Sequence, residues 1–192
     1  MPMDPATLTP VFLSQLISVG LIGPSTIQLA TGLANGTSIY AETVVQFQSV
    51  DAGTLGAGVG LGASVTVPPT IIPAMIGSFT AHGILGPFSI PTATGVANGM
   101  MLAFKLAIIQ TVAAGVGLGA GVGFCIPNPG ASAGIYFAAF QAAGMLGPST
   151  IQLASAVAAG LDLVLPTSIA PVAIVGPPNI LPGAGTGIGK LI

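Results

Sequence analysis

The feature that most constrains this chain is a ten-residue segment that returns. Leu21-Ile22-Gly23-Pro24-Ser25-Thr26-Ile27-Gln28-Leu29-Ala30 recurs as Met145-Leu146-Gly147-Pro148-Ser149-Thr150-Ile151-Gln152-Leu153-Ala154, with eight of ten residues identical. A looser copy, Ile84-Leu85-Gly86-Pro87-Phe88-Ser89-Ile90, lies between them, and Gly23, Gly86 and Gly147 are 63 and 61 residues apart. Self-similarity at such a period marks an array of one supersecondary unit, which buries its apolar face only against its neighbours. Three tandem pseudo-repeats are therefore expected, over 1–69, 70–130 and 131–192, forming one compact domain.

Within each unit the pattern predicts a mainly α architecture. A short apolar helix comes first, over Val11–Ile22, Ile72–Gly83 and Gly134–Gly144, with Pro10 at a first helical position. The Gly-Pro pairs Gly23-Pro24, Gly86-Pro87 and Gly147-Pro148 break it and start a longer apolar helix. Ser25–Val50 reads as helical throughout, with Gly32 and Asn35-Gly36 as weak points. Gly99–Ala114 carries Met100, Met101, Phe104, Ile108 and Val112 on one helical side. A Gly-rich extended or loop segment closes each unit. In the third unit Pro166 and Pro171 fall where the long helix continues in the others, so an irregular or extended C-terminal end is expected there.

The Gly-alternating runs admit two conformations. On a strand, alternation puts the glycines on one face and Val, Leu and Ala on the other. On a helix, the same letters make overlapping small-residue pairs that let backbones approach closely. Glycine costs about 1 kcal/mol per interior helix position relative to alanine, so Gly58, Gly60, Gly117 and Gly119 are expected on extended or loop backbone, in packing roles.

Composition sets the environment. Charged residues are 3% of the chain and the formal charge is −2, against about 25% charged residues in an ordinary soluble domain. Such a chain exposed to water aggregates, so its surface must be covered by other subunits, by copies of itself or by lipid. With 52% hydrophobic residues, disorder is excluded. Two lysines cannot form a basic stripe, so nucleic acid is not an expected partner. Met1-Pro2-Met3-Asp4-Pro5 lacks a basic stretch, so no secretory signal peptide is expected.

Chemistry is sparse. One histidine, His82, and one cysteine, Cys125, do not make a zinc site, and His82 reads as a satisfied polar group near a helix end. The tail Gly185-Thr186-Gly187-Ile188-Gly189-Lys190-Leu191 resembles a phosphate loop only superficially. Ala184 stands where the motif needs glycine, and Leu191 where it needs Ser or Thr. No catalytic residue, cofactor or metal site is expected. Glu42 and Lys105 are 63 residues apart, hence at one position of successive units, and are placed to form an ion pair. The reading that results is a non-enzymatic structural subunit buried in a large assembly. A virion component fits, such as a phage tail, baseplate hub or injection-machine part that plugs a channel or contacts a membrane, and a homo-oligomer is expected. The alternatives are an integral membrane protein, since Ile17–Tyr40 and Met100–Ile126 meet the length of about 20 residues for a span, and a pore-forming oligomer.

Overall fold

The computed structural model describes the backbone over 4–43, 46–54, 57–66, 71–106, 108–116, 118–126, 129–167, 169–175 and 183–189, and side chains over 4–41, 71–106 and 133–166. The described residues are mainly helical. The first third of the chain contains α1 (Pro5–Ser18), α2 (Thr26–Thr43), β1 (Gln46–Thr54) and β2 (Ala57–Thr66). The second contains α3 (Ile71–Ala81), α4 (Ser89–Leu106), β3 (Ile108–Val116) and β4 (Leu118–Ile126). The last contains α5 (Pro129–Ala142), α6 (Pro148–Val164), a 3-10 turn (Leu165–Thr167), β5 (Ile169–Val175) and β6 (Gly183–Gly189).

Several expected boundaries move, for local physical reasons. α1 begins at Pro5 because Asp4 caps it: the carboxylate accepts from the Thr7 N–H at 2.9 Å and the Thr7 hydroxyl at 2.9 Å. These bonds hold the Asp4 carboxyl below its ordinary range. Pro5 then takes the first helical position, and Pro10 lies inside the helix.

The short helices end sooner than apolar periodicity suggests. Gly20, Gly83 and Gly144 adopt φ of +84°, +75° and +85°, a left-handed conformation that suits glycine. The next amide then bonds back five residues: Leu21 to Leu16, Ile84 to Phe79 and Met145 to Phe140, each at 2.9 Å. This is the Schellman closure of a helix end.

The long helices also end earlier than predicted. Ser25–Val50 divides into α2 and β1, and Gly99–Ala114 into α4 and β3. The deciding residues are β-branched: Ile108, Ile109, Thr111 and Val112 lose rotamer freedom on a helix and pack well on a pleat. Of the irregular and extended alternatives for the last third, the described residues after the 3-10 turn are extended, in β5 and β6. Pro166 falls in the 3-10 turn, and Pro171 sits one residue before the β5–β6 ladder begins at Val172, where its missing N–H does not interrupt that ladder.

The helices form a closed ring in which each packs on the next and α6 returns to α1. The strands likewise close, as an antiparallel barrel in the order β1 to β6 with β6 back on β1. A walk through paired residues from Phe47 to Gly189, Val172, Gly121, Ala113 and Gly58 returns to β1 at Gly53, six residues beyond its start. Six strands with that stagger give a barrel of about 6 Å backbone radius, narrower than the eight-stranded barrels that side chains just fill. In register, Gly58, Gly60 and Gly62 of β2 share a face with Gly119, Gly121 and Gly123 of β4 and with Gly183, Gly185, Gly187 and Gly189 of β6.

The helix ring is locked by small residues. A Cβ on Gly36 would collide with Met75, and one on Gly99 with the Tyr136 ring. A Cβ on Gly160 would lie 2.7 Å from Phe12. A turn away, Gly32 faces Phe79 at 3.0 Å and Gly95 faces Phe140. Each long helix thus offers a notch to a short helix from another third of the chain: α2 to α3, α4 to α5, and α6 to α1. Ser78 of α3 adds a hydrogen bond from its hydroxyl to the Gly32 carbonyl at 2.7 Å. Across the ring interior, Tyr40 meets Phe104 edge to face at 5.7 Å, and the Thr37 hydroxyl lies 3.8 Å from the Met100 sulfur.

Gly99→Ala is expected to lower stability by about 1–3 kcal/mol through overpacking. Gly77→Ala, in α3 with nothing within 4 Å of an added Cβ, is expected to raise it by up to about 1 kcal/mol. Urea unfolding midpoints check this pair, and equal midpoints would discard the notch account.

Candidate functional site

The three helix–helix turns gather at one end of the ring. Gly83, after α3, lies against Gln28 at the start of α2, and Gly20, after α1, lies against Gln152 at the start of α6. The strands follow the opposite ends of the long helices. The turns therefore form a crown facing away from the barrel.

This crown is apolar and exposed. Ile22, Leu85 and Leu146 are 76%, 73% and 80% exposed, among the largest values for big hydrophobic side chains. Ile27, Ile90 and Ile151 stand beside them, with Phe88 and Ile17. Among the described side chains, eight of the twelve exposed large hydrophobics lie at this end, and an apolar cluster of this kind on a folded surface marks an interaction site. Local hydrogen bonds hold the turns in shape. The Thr26 hydroxyl donates to the Leu21 carbonyl at 3.1 Å, and the Ser89 hydroxyl to the Gly86 carbonyl at 2.8 Å. Thr26, Ser89 and Thr150 amides bond to the carbonyls of Gly23, Gly86 and Gly147, each at 3.1 Å.

Charge is confined to the other end. Residues 5–41 carry no Asp, Glu, Lys or Arg, and neither do residues 52–104 or 106–161. Glu42, Lys105 and Asp162 each fall in the last turns of α2, α4 and α6, near the strands. Lys105 is exposed, and its cation sits favourably at a helix C-terminus. The Glu42 side chain lies outside those described, so its expected pairing with Lys105 has no counterpart in the described contacts.

The anticipated packing residues have mixed fates. Gly23, Gly86 and Gly147 have nothing within 4 Å of an added Cβ, so close approach is not their role. Gly86 and Gly147 serve backbone shape, with φ of +123° and +133°. Pro24 and Pro87 lie in the turns just before α2 and α4, and Pro148 is the first residue of α6. Gly58 and Gly60 are in β2, and Gly119 in β4. Gly117 lies outside the described residues. The close-approach glycines are Gly32, Gly36, Gly95, Gly99 and Gly160. Their signal was present in Ala34-Asn35-Gly36 and Ala97-Asn98-Gly99, the same tripeptide 63 residues apart, but tripeptide identity does not say what fills the notch.

Among the described residues no three of His, Cys, Asp and Glu converge as a metal site would require. His82 ends α3 with both ring nitrogens engaged: Nδ1 is 2.8 Å from the Ser78 carbonyl, and Nε2 is 3.3 Å from Asn35 Nδ2. Asn35 Nδ2 also donates to the Thr31 carbonyl at 3.0 Å, so one amide group links the α2 backbone to the His82 ring. Tyr136 is fully buried, and its hydroxyl has no hydrogen-bond partner among the described residues. It occupies the position held by Phe12 and Met75 at spacings of 61 and 63. Compared with protein-family models, curated proteins and solved structures, the chain matches none of them.

Burial, helped by the Asp162 carboxylate, pushes the Tyr136 hydroxyl well above its ordinary pKa, and burial pushes Tyr40 up to about 12. A raised folded pKa stabilises the fold below the unfolded value near pH 10, and that stability is lost as pH rises toward the folded value. Stability is therefore expected to fall above pH 10, by up to about 1.4 kcal/mol per pH unit for each tyrosine. Tyr136→Phe is expected to flatten this alkaline limb. At pH 7 the same change should be neutral or stabilising by about 1 kcal/mol, since it removes an unpaired buried hydroxyl. Urea titrations between pH 7 and 12 measure both effects.

Proposed function

We propose that this protein is a non-enzymatic structural subunit of a large assembly, whose neighbours cover most of its surface. The observation that carries the reading is the near-absence of charge, 3% of residues, together with an uncharged, exposed apolar crown. A virion component fits best, a phage tail or injection-machine part that plugs a channel or meets a membrane. We also read the three thirds of the chain as tandem pseudo-repeats. In support, the 63- and 61-residue spacings that relate the Gly-Pro segments also relate Phe12, Met75 and Tyr136, and Gly36, Gly99 and Gly160. A ring built that way suits a position on a symmetry axis, with other subunits or further copies around it.

A second reading is a pore-forming or membrane-resident oligomer. Among the described residues no helix is long and apolar enough to cross a membrane. The spans suggested by Ile17–Tyr40 and Met100–Ile126 are interrupted, the first by the turn after Ser18 and the second where α4 gives way to β3. What favours this reading is the closed barrel, whose first four strands have 9, 10, 9 and 9 residues, near the 9–11 residues of a membrane-crossing strand.

Fractionating cells that express the chain alone tests the pair. For an assembly subunit, the chain should pellet as aggregate, be released from membranes by alkaline carbonate, and become soluble when partner subunits are co-expressed. Carbonate-resistant, detergent-extractable protein would displace the assembly reading in favour of the membrane-resident one.

A further inference from the structure

We infer that the crown of helix–helix turns is a lipid-contacting surface, which seats the molecule on a bilayer with its strands pointing away. The inference deepens the membrane-contacting part of the function proposed above and rests on it to that extent. Three observations converge on lipid as the occupant.

The first is the polarity of the whole molecule along the ring axis. Every charged position of the helical part, Asp4, Glu42, Lys105 and Asp162, lies at the strand end of its helix, and none lies near the turns. A protein–protein interface surrounds its apolar centre with a polar rim. This end has exposed polar residues such as Gln28 and Gln152 but no charged ones, so it offers no complementary charge to a partner protein. The one histidine near the turns, His82, has both ring nitrogens within hydrogen-bond distance of protein groups, the Ser78 carbonyl and the Asn35 amide.

The second is the form of the tips. Ile22, Leu85 and Leu146 project from three separate turns at nearly equal exposure. A flat, continuous surface engages all three together without any matching of contours. Burying each in an apolar phase is favourable in proportion to the area removed from water.

The third is the polar accounting of those turns. Pro24, Pro87 and Pro148 remove a backbone donor at each tip. The hydroxyls of Thr26, Ser89 and Thr92 are turned back onto the carbonyls of Leu21, Gly86 and Phe88 at 3.1, 2.8 and 2.6 Å. Polar groups satisfied within the turn reduce the cost of entering a medium without water.

Flotation of the full chain with phosphatidylcholine vesicles, present during cell-free synthesis, tests the inference. The wild-type chain should float with the vesicles, with little dependence on salt. The triple variant Ile22→Ser, Leu85→Ser, Leu146→Ser should bind at least about a hundredfold more weakly. A control triple at the strand end, Ile39→Ser, Leu102→Ser, Leu163→Ser, removes equally large exposed side chains and should float like wild type. Because the chain contains no tryptophan, Leu85→Trp gives one reporter, whose emission should shift to the blue on adding vesicles. Leu102→Trp, exposed near the strand end of α4, should not shift. Equal loss in both triples, or no loss in the crown triple, would overturn the inference. So would a chain that ignores vesicles yet needs the crown residues to join its partner subunits; that result would leave the assembly reading standing. Failure of the assembly reading would register separately, as carbonate-resistant membrane residence.

Discussion

The structure depends on one kind of contact, a large side chain seated where a glycine leaves a notch on the neighbouring helix. Met75 on Gly36 and Tyr136 on Gly99 join consecutive thirds of the chain, and Phe12 on Gly160 joins the last third to the first. The contact between α6 and α1 is what turns a row into a ring. Close packing of this sort tolerates little change in volume, and it fixes the register of one helix on the next more tightly than leucine against leucine would. The strands repeat the logic with backbone bonds, since β6 returns to β1 and leaves no edge unpaired.

Closing both layers has a consequence for the outside. A ring buries its apolar interior, but this chain has too few polar residues to clothe what remains. Among the described side chains of the helices, the exposed apolar area is concentrated at the turns, while the charged positions of the helices lie at the strand end. That separation follows from the up-and-down path of the chain. Each helical pair begins and ends at the strand side, so the residues joining its two helices share one end. A Gly-Pro segment that recurs three times in the sequence thus becomes one surface in space.

Tyr136 differs from the other two notch-filling side chains. Phe12 and Met75 fill their notches without a polar atom, whereas the third position carries a hydroxyl with no partner among the described residues. The ring shape of tyrosine serves the packing, and the hydroxyl is an unfavourable addition. Around His82 the polar groups are instead matched in full, through Asn35 and Ser78, and these tie α2 to α3 where Gly32 and Phe79 already meet.

Parts of this architecture are legible in single residues. The Gly-Pro pairs announce three turns, and alternating glycine announces extended backbone, because each reflects a local preference. The ends of the helices were less legible. Gly20, Gly83 and Gly144 close α1, α3 and α5, yet apolar periodicity runs on past them. Ile108 and Ile109 suit a helical stripe as well as a strand, and the choice falls to the strand that pairs with them. The crown was hidden for a related reason: Ile22 and Leu85 look like core residues in a list of letters, since hydrophobicity alone does not say which side of a turn meets water.

What the sequence determined by itself was the recurrence of the Gly-Pro segment and the mainly helical content, set by preferences that act within a few residues. What only the tertiary structure decided was the closure of the ring, the partner of each glycine notch and the gathering of three distant turns into one apolar crown. Those features join residues 63 or more positions apart, and no local preference encodes which distant side chain will arrive to fill a given space.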